Sequence, residues 1–303
     1  MSKKIGVVFN PVAGKGSAVK FEHKIISSLK KKCPDYTFER TQYAGHAFHL
    51  TKLLSSQVET VIAAGGDGTV NEVAAALAGT DTPLGIVPIG SGNDFIRAIG
   101  IPRDPLSALA VALDGKRKKY DVGNIQITEN SIQHSIRKKF LNTCGIGLDG
   151  EVAKEILALN HLRGLWLYGI AAMNALRHFK PIEMDIQTPF SNRHLNALLV
   201  CVGNGQYEGS GFKLTPNARP DDGFFQVCAV ADMPLRRILK ALFKLQYEQH
   251  GTVNGIEMFD TDKISIRSSS PFTIHADGEV LSSKALAVDI SIESKQVWIQ
   301  SPQ

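Results

Sequence analysis

The first third of the chain alternates short apolar runs with amphipathic ones, and that rhythm restricts the fold more than any other feature. Ile5–Phe9 reads as a buried strand and Val19–Lys31 as a helix with one apolar face. Tyr36–Thr41, Val61–Ala64 and Leu84–Val87 repeat the strand pattern. His46–Ser55, Val70–Ala78 (stopped by Gly79) and Asp104–Leu113 repeat the helical one. Wholly apolar strands separated by helices predict a parallel sheet covered on both faces. Beyond Tyr120 the rhythm changes to short β-rich runs, Phe140–Cys144, Leu198–Val202, Phe224–Val230, Ile264–Arg267 and Val288–Ile292, divided by Gly, Asn, Asp and Ser clusters. Two helical stretches interrupt them, Val152–Phe179 and Leu235–Tyr247. The expectation is two domains: an α/β domain over 1–125 and a β-rich, mainly antiparallel domain over 126–303, whose last few residues are free to return to the first.

With 303 residues, 43% hydrophobic and 21% charged, the chain has the composition of a folded globular protein rather than a disordered one. Cys33, Cys144, Cys201 and Cys228 are widely spaced and form no CxxC pair, so neither a zinc site nor a disulfide framework is expected, and a reducing cytoplasm is the default setting. No apolar stretch behind Lys3 and Lys4 is long enough for a signal peptide. The most apolar window, Leu165–Leu176, is too short to span a bilayer and contains Asn174. A net charge of +5 suits contact with an anionic membrane or a polyphosphate.

The densest chemical signal is Gly65-Gly66-Asp67-Gly68-Thr69-Val70-Asn71-Glu72-Val73, where a strand ends and a helix begins. Glycines let the backbone turn tightly there, and a helix N-terminus presents unpaired N–H groups and a favourable dipole to phosphate. Taken alone, Asp67 and Thr69 also fit simple helix caps. Two more Gly-rich turns follow other strands, Asn10-Pro11-Val12-Ala13-Gly14-Lys15-Gly16 and Pro88-Ile89-Gly90-Ser91-Gly92-Asn93-Asp94-Phe95. Ligands of open α/β sheets bind at the carboxyl ends of strands, so the three turns describe one anion-binding rim. It is not a Walker A loop, because Gly14-Lys15 is followed by Gly16 rather than Ser or Thr. The dinucleotide fingerprint is also missing from the first turn.

Together, Asn10-Pro11, Gly65–Thr69 and Gly90–Phe95 resemble the diacylglycerol kinase catalytic family, which includes sphingosine kinases and bacterial lipid kinases. Gly-Gly-Asp-Gly-Thr alone is shared with NAD kinases and phosphofructokinases; Asn93-Asp94-Phe95 followed by Arg97 points to the lipid enzymes. Ser91 stands where bacterial members more often carry Thr, and it keeps the hydroxyl. The resemblance continues through Phe140-Leu141-Asn142 with Gly145, Gly147 and Asp149, through Asn204-Gly205 to Asp221-Asp222-Gly223, and into Asp277-Gly278-Glu279.

The resemblance implies an ATP- and Mg²⁺-dependent kinase acting on a lipid hydroxyl. Its expected fold is an NAD kinase/diacylglycerol kinase-like α/β domain and a β-sandwich domain, with the active site in the cleft separating them. It assigns ATP contacts to Asn10, Pro11, Gly14, Thr41, Gly65, Gly66, Asp67, Gly68, Thr69, Asn71, Glu72, Ser91 and Asn93. Metal-holding carboxylates are expected at Asp67, Asp94 and Asp121, with a second, structural magnesium at Asp222. Catalysis is expected of Asp67 and of the pair Asp277 and Glu279, whose carboxylates share one side if the segment is extended. Without the resemblance, Asp94 fits a helix cap, Asp222 a plain turn and Asp277-Gly278 a hairpin turn. The expected partner is a lipid at the inner face of a membrane, reached by peripheral contact, and not nucleic acid; strand edges in the second domain leave a homodimer open. The apolar run of Leu157, Leu159, Leu162, Leu165, Trp166, Leu167, Tyr168, Ile170 and Met173, flanked by Lys154, Arg163, Arg177, His178 and Lys180, reads as a core helix or as one bordering the acyl chain. The rival readings are an NAD kinase and a non-catalytic nucleotide- or lipid-sensing module.

Overall fold

Five consecutive buried residues, Ile5–Phe9, make β1, an interior strand of the first sheet. Residues buried on both faces need helices above and below, and the order that follows supplies them: α1 (Val19–Lys32), β2 (Tyr36–Arg40), α2 (His46–Leu54), β3 (Thr60–Gly65), α3 (Asp67–Leu77), β4 (Leu84–Pro88), α4 (Asp94–Ala98) and α5 (Pro105–Asp114). The computed structural model describes residues 4–129, 135–158, 165–209 and 211–302. They fall into two units, Met1–Val122 with Ser294–Gln303, and Gly123–Glu293.

In the first unit β2, β1, β3 and β4 lie side by side, all parallel. Ile25 and Leu29 of α1 and Leu109, Ala112 and Leu113 of α5 pack on one face against Val7, Phe9, Ile62 and Val87. α2 and α3 contact each other, with α2 against β1 and α3 against β3 and β4. Asp104 caps α5 by accepting the Ser107 N–H at 2.8 Å, and Pro105 occupies the first turn, where its missing N–H costs nothing.

The chain then runs through β5 (Lys116–Thr128), β6 (Ser135–Phe140), β7 (Thr143–Gly147), α6 (Leu148–Ala158), α7 (Leu165–His178), β8 (Ile182–Thr188), β9 (Ser191–Gly203), β10 (Phe225–Ala231), α8 (Leu235–Leu245), β11 (Ile256–Thr261), β12 (Lys263–Ala276) and β13 (Glu279–Ser301). In the second unit the order β11-β10-β9-β7-β12-β13 is antiparallel throughout, and β8 pairs with both β9 and β12. β12 pairs with β8 over Ser265–Arg267 and with β7 over Ile274–Ala276, and its register against β13 breaks in the intervening stretch. Such breaks bend a strand from one layer of a sandwich toward the other. Phe140, Phe225, Phe272 and the aliphatic residues of β7, β9, β12 and β13 fill the core.

Two expected elements differ. The strand over Phe140–Cys144 is two strands, because the amides of Leu141, Asn142 and Thr143 turn away from the ladder to the Asp277 carboxylate. The helix over Val152–Phe179 is the pair α6 and α7, which pack against each other. The side chains from Leu157 to Tyr168 in the apolar run lie outside the described residues; Ile170 and Met173 are exposed.

After β13 leaves the second unit, its last residues belong to the first. Ile299 pairs with Leu84 of β4 in parallel, Gly79 N–H donates to the Gln296 carbonyl at 2.9 Å, and the Tyr120 and Ser301 hydroxyls lie 3.0 Å apart. Ile299 is fully buried. Ile299→Ala is therefore expected to lower the unfolding free energy by about 3 kcal/mol, measured by denaturant titration, whereas a frayed tail would lose almost nothing.

Candidate active site

The rim of the first sheet is assembled from loops that hold one another. Asn10 follows β1; its N–H donates to the Ala64 carbonyl at 2.9 Å and its Nδ2 to the Thr69 hydroxyl at 2.9 Å, while Oδ1 accepts the Val12 N–H. Pro11 and Gly14 continue that loop, and Thr41, just past β2, donates its N–H to the Phe9 carbonyl. Asp67 opens α3, and its carboxylate accepts the Asn93 N–H at 2.8 Å and the Asp94 N–H at 3.1 Å. That carboxylate joins the loop after β3 to the loop after β4. Neither Asp67 nor Thr69 caps α3, whose N-cap is Gly66.

Close backbone approach completes the junction. A Cβ added at Gly90 would lie 2.7 Å from the Gly66 Cα, which leaves room for glycine alone. Asn93 takes a left-handed conformation (φ 53°) and donates Nδ2 to the Gly90 carbonyl at 2.7 Å, fixing the turn that presents Asp94. Asp94 does not cap α4, where Asn93 occupies the N-cap; it is buried, with Arg97 Nε 3.9 Å from its Oδ1. Gly68 and Ser91 are exposed at the rim, and Gly65 and Asn71 are buried beneath it. Glu72 faces another way: its two oxygens accept the N–H groups of Gly45 and Ala47 at 2.9 and 3.0 Å, anchoring the start of α2. Asp121 is fully buried in β5 and accepts the Lys295 N–H at 2.6 Å.

Burial, and after it the neighbouring Asp94 charge, raise the Asp67 pKa to about 6 against the pull of the backbone N–H groups. Two carboxylates with hard oxygen donors, one strained by the charge of the other, fit a magnesium ion, which takes oxygen ligands and relieves that repulsion. The first α3 backbone bond runs from Val70 N–H to the Gly66 carbonyl at 3.1 Å, so the Gly68 and Thr69 amides precede it and suit phosphate oxygens.

In the second unit, residues 277–279 form the hairpin turn, not the extended segment that would set both carboxylates on one side. Asp277 and Gly278 both have positive φ (48° and 79°), Ala276 pairs with Glu279, and Asp-Gly is the dipeptide such turns favour. The two carboxylates consequently meet different partners. Asp277 accepts the N–H groups of Leu141, Asn142 and Thr143 at 2.8–3.1 Å. Glu279, 57% exposed, pairs with Lys138 at 2.8 Å. Asp222 is exposed and accepts the Phe224 N–H at 3.0 Å, closing its own turn.

One cluster is absent from the expected site. His275 Nε2 lies 3.1 Å from Glu208 and 3.3 Å from Asp149, and the other Glu208 oxygen accepts the Cys201 thiol proton. A Cβ at Gly145 would fall 2.0 Å from Asp149 Oδ2 and 2.2 Å from His275 Nε2, so glycine there creates the space. Asp149 and Gly145 stand out in the sequence, but Glu208 and His275 give no local signal. The three groups are close enough to share a cation, and a protonated His275 supplies one without a metal. Burial opposes that charge, but the Asp149 carboxylate and then Glu208 outweigh it and raise the His275 pKa to about 10. Burial, Glu208 and Asp149 hold the Cys144 and Cys201 thiols protonated, and burial pushes Cys228 up to about 12.

Against known proteins, residues 4–125 match the diacylglycerol kinase catalytic domain and residues 142–297 the YegS C-terminal NAD kinase beta sandwich-like domain. A diacylglycerol kinase from Mycobacterium tuberculosis is 32% identical over 279 residues, 91% of this chain and 88% of that protein. The crystal structure of a putative diacylglycerol kinase from Bacillus anthracis superposes with a TM-score of 0.78 at 26% identity, covering 99% of this chain and 97% of that one. Yeast NADH kinase shares the fold alone, at TM-score 0.57 and 10% identity over 100% of this chain and 84% of that one. The chain belongs to the diacylglycerol kinase catalytic family. It is a lipid kinase. Among the described residues no helix is long and apolar enough to cross a membrane.

Two outcomes are expected. Gly90→Ala should cost roughly 1–3 kcal/mol in a denaturant titration, because the new methyl meets the Gly66 backbone at 2.7 Å as well as the Asn93 side chain at 2.8 Å. The folded-state pKa of His275 lies above its ordinary 6.5, so its stabilisation is complete below that pH and lost as pH rises toward about 10. The thermal midpoint of the unaltered protein should fall more steeply across that window than that of His275→Gln, as read by calorimetry at stepped pH.

Proposed function

We propose that this kinase transfers the γ-phosphate of ATP, with Mg²⁺, to a hydroxyl of diacylglycerol or a related lipid alcohol at a membrane surface. The observation that carries the reading is the Asp67 carboxylate bonded to the amides of Asn93 and Asp94 at the mouth of α3. Phosphoryl transfer is largely a matter of positioning and charge stabilisation, and those are what this rim is built to supply.

The Gly68 and Thr69 amides, with Asn10, Pro11, Gly14, Thr41, Gly65, Gly66, Ser91 and Asn93 around them, are proposed to seat the nucleotide. Asn71 and Glu72 support that seat from behind, Glu72 through the start of α2. Asp67 and Asp94 are proposed to hold Mg²⁺, with Asp121 further along the same unit, and Asp222 to hold a second ion. When bound, Mg²⁺ would neutralise charge on the transferring phosphoryl group. Asp67 is ionised above about pH 6 and so carries charge for a cation at neutral pH.

The lipid hydroxyl needs a proton acceptor. Glu279 is the exposed member of its pair and takes that role here; Asp277 fixes the turn that presents it. An NAD kinase remains the rival because the yeast enzyme shares the fold, but the family match and the Gly90–Phe95 turn favour a lipid acceptor.

Transfer of labelled γ-phosphate into a panel of micellar lipids, with NAD⁺ as a further acceptor, tests this. Label should enter a lipid only with Mg²⁺, and Asp67→Asn should lower turnover on the order of a hundredfold or more. Label entering NAD⁺ alone would overturn the reading. Glu279→Gln should lose on the order of a hundredfold in kcat without a shift in melting temperature. Asp277→Asn should lose activity and also about 2 kcal/mol of stability, because an amide cannot accept three N–H bonds as a carboxylate does. Loss of stability in both variants, or in neither, would refute the division of roles.

A further inference from the structure

α8, Leu235-Arg-Arg-Ile-Leu-Lys-Ala-Leu-Phe-Lys-Leu245, divides into three faces at 100° per residue. Ile238 and Ala241 face inward, against a core of Leu198, Cys201, Cys228, Met233, Val253 and Ile256, and Leu245, on the same side, is buried. Leu235, Leu239, Leu242 and Phe243 occupy an arc of roughly 100° that this packing leaves outside. They and Tyr247 are 48–62% exposed, and the Phe243 and Tyr247 rings lie 5.5 Å apart. The third face carries Arg236, Arg237, Lys240 and Lys244, and the helix contains no acidic residue.

Scattered exposed leucines are ordinary, but four large apolar side chains on one arc beside four cations are the pattern of a helix lying in a membrane interface. A second copy of the chain fits less well, since a two-fold contact through this face sets a cationic stripe against itself. We infer that α8 is the helix by which this kinase docks on an anionic bilayer, its apolar arc entering the acyl boundary and its cations meeting lipid phosphates. The inference rests on the lipid-kinase reading for its purpose, since a bilayer-resident substrate requires the enzyme to come to it. The other apolar helical run does not carry it, because most of those side chains lie outside the described residues.

The test is co-sedimentation of the full chain, without nucleotide, with vesicles of phosphatidylcholine alone and of phosphatidylcholine mixed with phosphatidylglycerol. Binding is expected to the mixed vesicles, weakening as salt is raised. The double variant Leu239→Glu, Phe243→Glu should lose it. The triple variant Arg236→Ala, Arg237→Ala, Lys240→Ala keeps the apolar arc and should lose affinity about fivefold per cation, with circular dichroism unchanged in both. Binding unaltered in both variants would overturn the inference. So would a dimer in analytical ultracentrifugation that both variants split while vesicle binding stays the same. Phosphoryl transfer to micellar lipid separates the two claims: activity without α8-dependent vesicle binding defeats the docking helix alone, and α8-dependent binding without transfer to any lipid defeats the proposed reaction alone.

Discussion

The acceptance of two backbone amides by one half-buried carboxylate organises the first unit's rim. Asp67 begins α3, yet its oxygens serve the N–H groups of Asn93 and Asp94, which follow β4. Two successive crossover loops are thereby locked together. The lock holds only because Gly66 and Gly90 let their backbones nearly touch and Asn93 accepts a left-handed conformation. Burial and the adjacent Asp94 then disfavour the charge of Asp67, so the contact that fixes the geometry also holds a carboxylate whose ionised form is opposed by its surroundings. Such a residue costs stability and makes a good seat for a cation, the usual trade at functional sites.

Asp277 does comparable work in the second unit with a different result. Its three amide partners define where β6 stops and β7 starts, and its own backbone forms the turn leading into β13. Losing that carboxylate would disturb two strand ends and a turn together. Glu279, exposed and held by a single lysine, carries no such duties.

The buried group of His275, Asp149, Glu208 and Cys201 shows how a β-rich core tolerates charge. Two carboxylates cannot both ionise in a low-dielectric interior without compensation, and a cationic imidazole at 3.1 and 3.3 Å provides it. The arrangement depends on strand register: His275 lies opposite Gly145 in the β12–β7 pairing, and the missing side chain at Gly145 is the space the ion pair fills.

The parallel sheet of the first unit was legible in the sequence, because wholly apolar strands and amphipathic helices have different periods. The three Gly-rich turns were legible too, since tight turns restrict residue type locally. Other elements were not. β5 begins Lys116-Arg-Lys-Lys, and that charge hides a strand whose later residues are buried. The segment 277–279 fitted either an extended run or a hairpin turn in the sequence, and the pairing of β12 with β13 decided for the turn. Glu72 sits within the most recognisable motif and yet points to α2, and Glu208 and His275 are separated by 67 positions that only the sheet brings together. The sequence determined where the backbone must turn and which segments must be buried, since both depend on near neighbours. Which carboxylate meets an amide, a lysine or an imidazole was decided by the tertiary structure, because electrostatic partnership depends on distance in space and on exclusion of water, and neither is written in sequence separation.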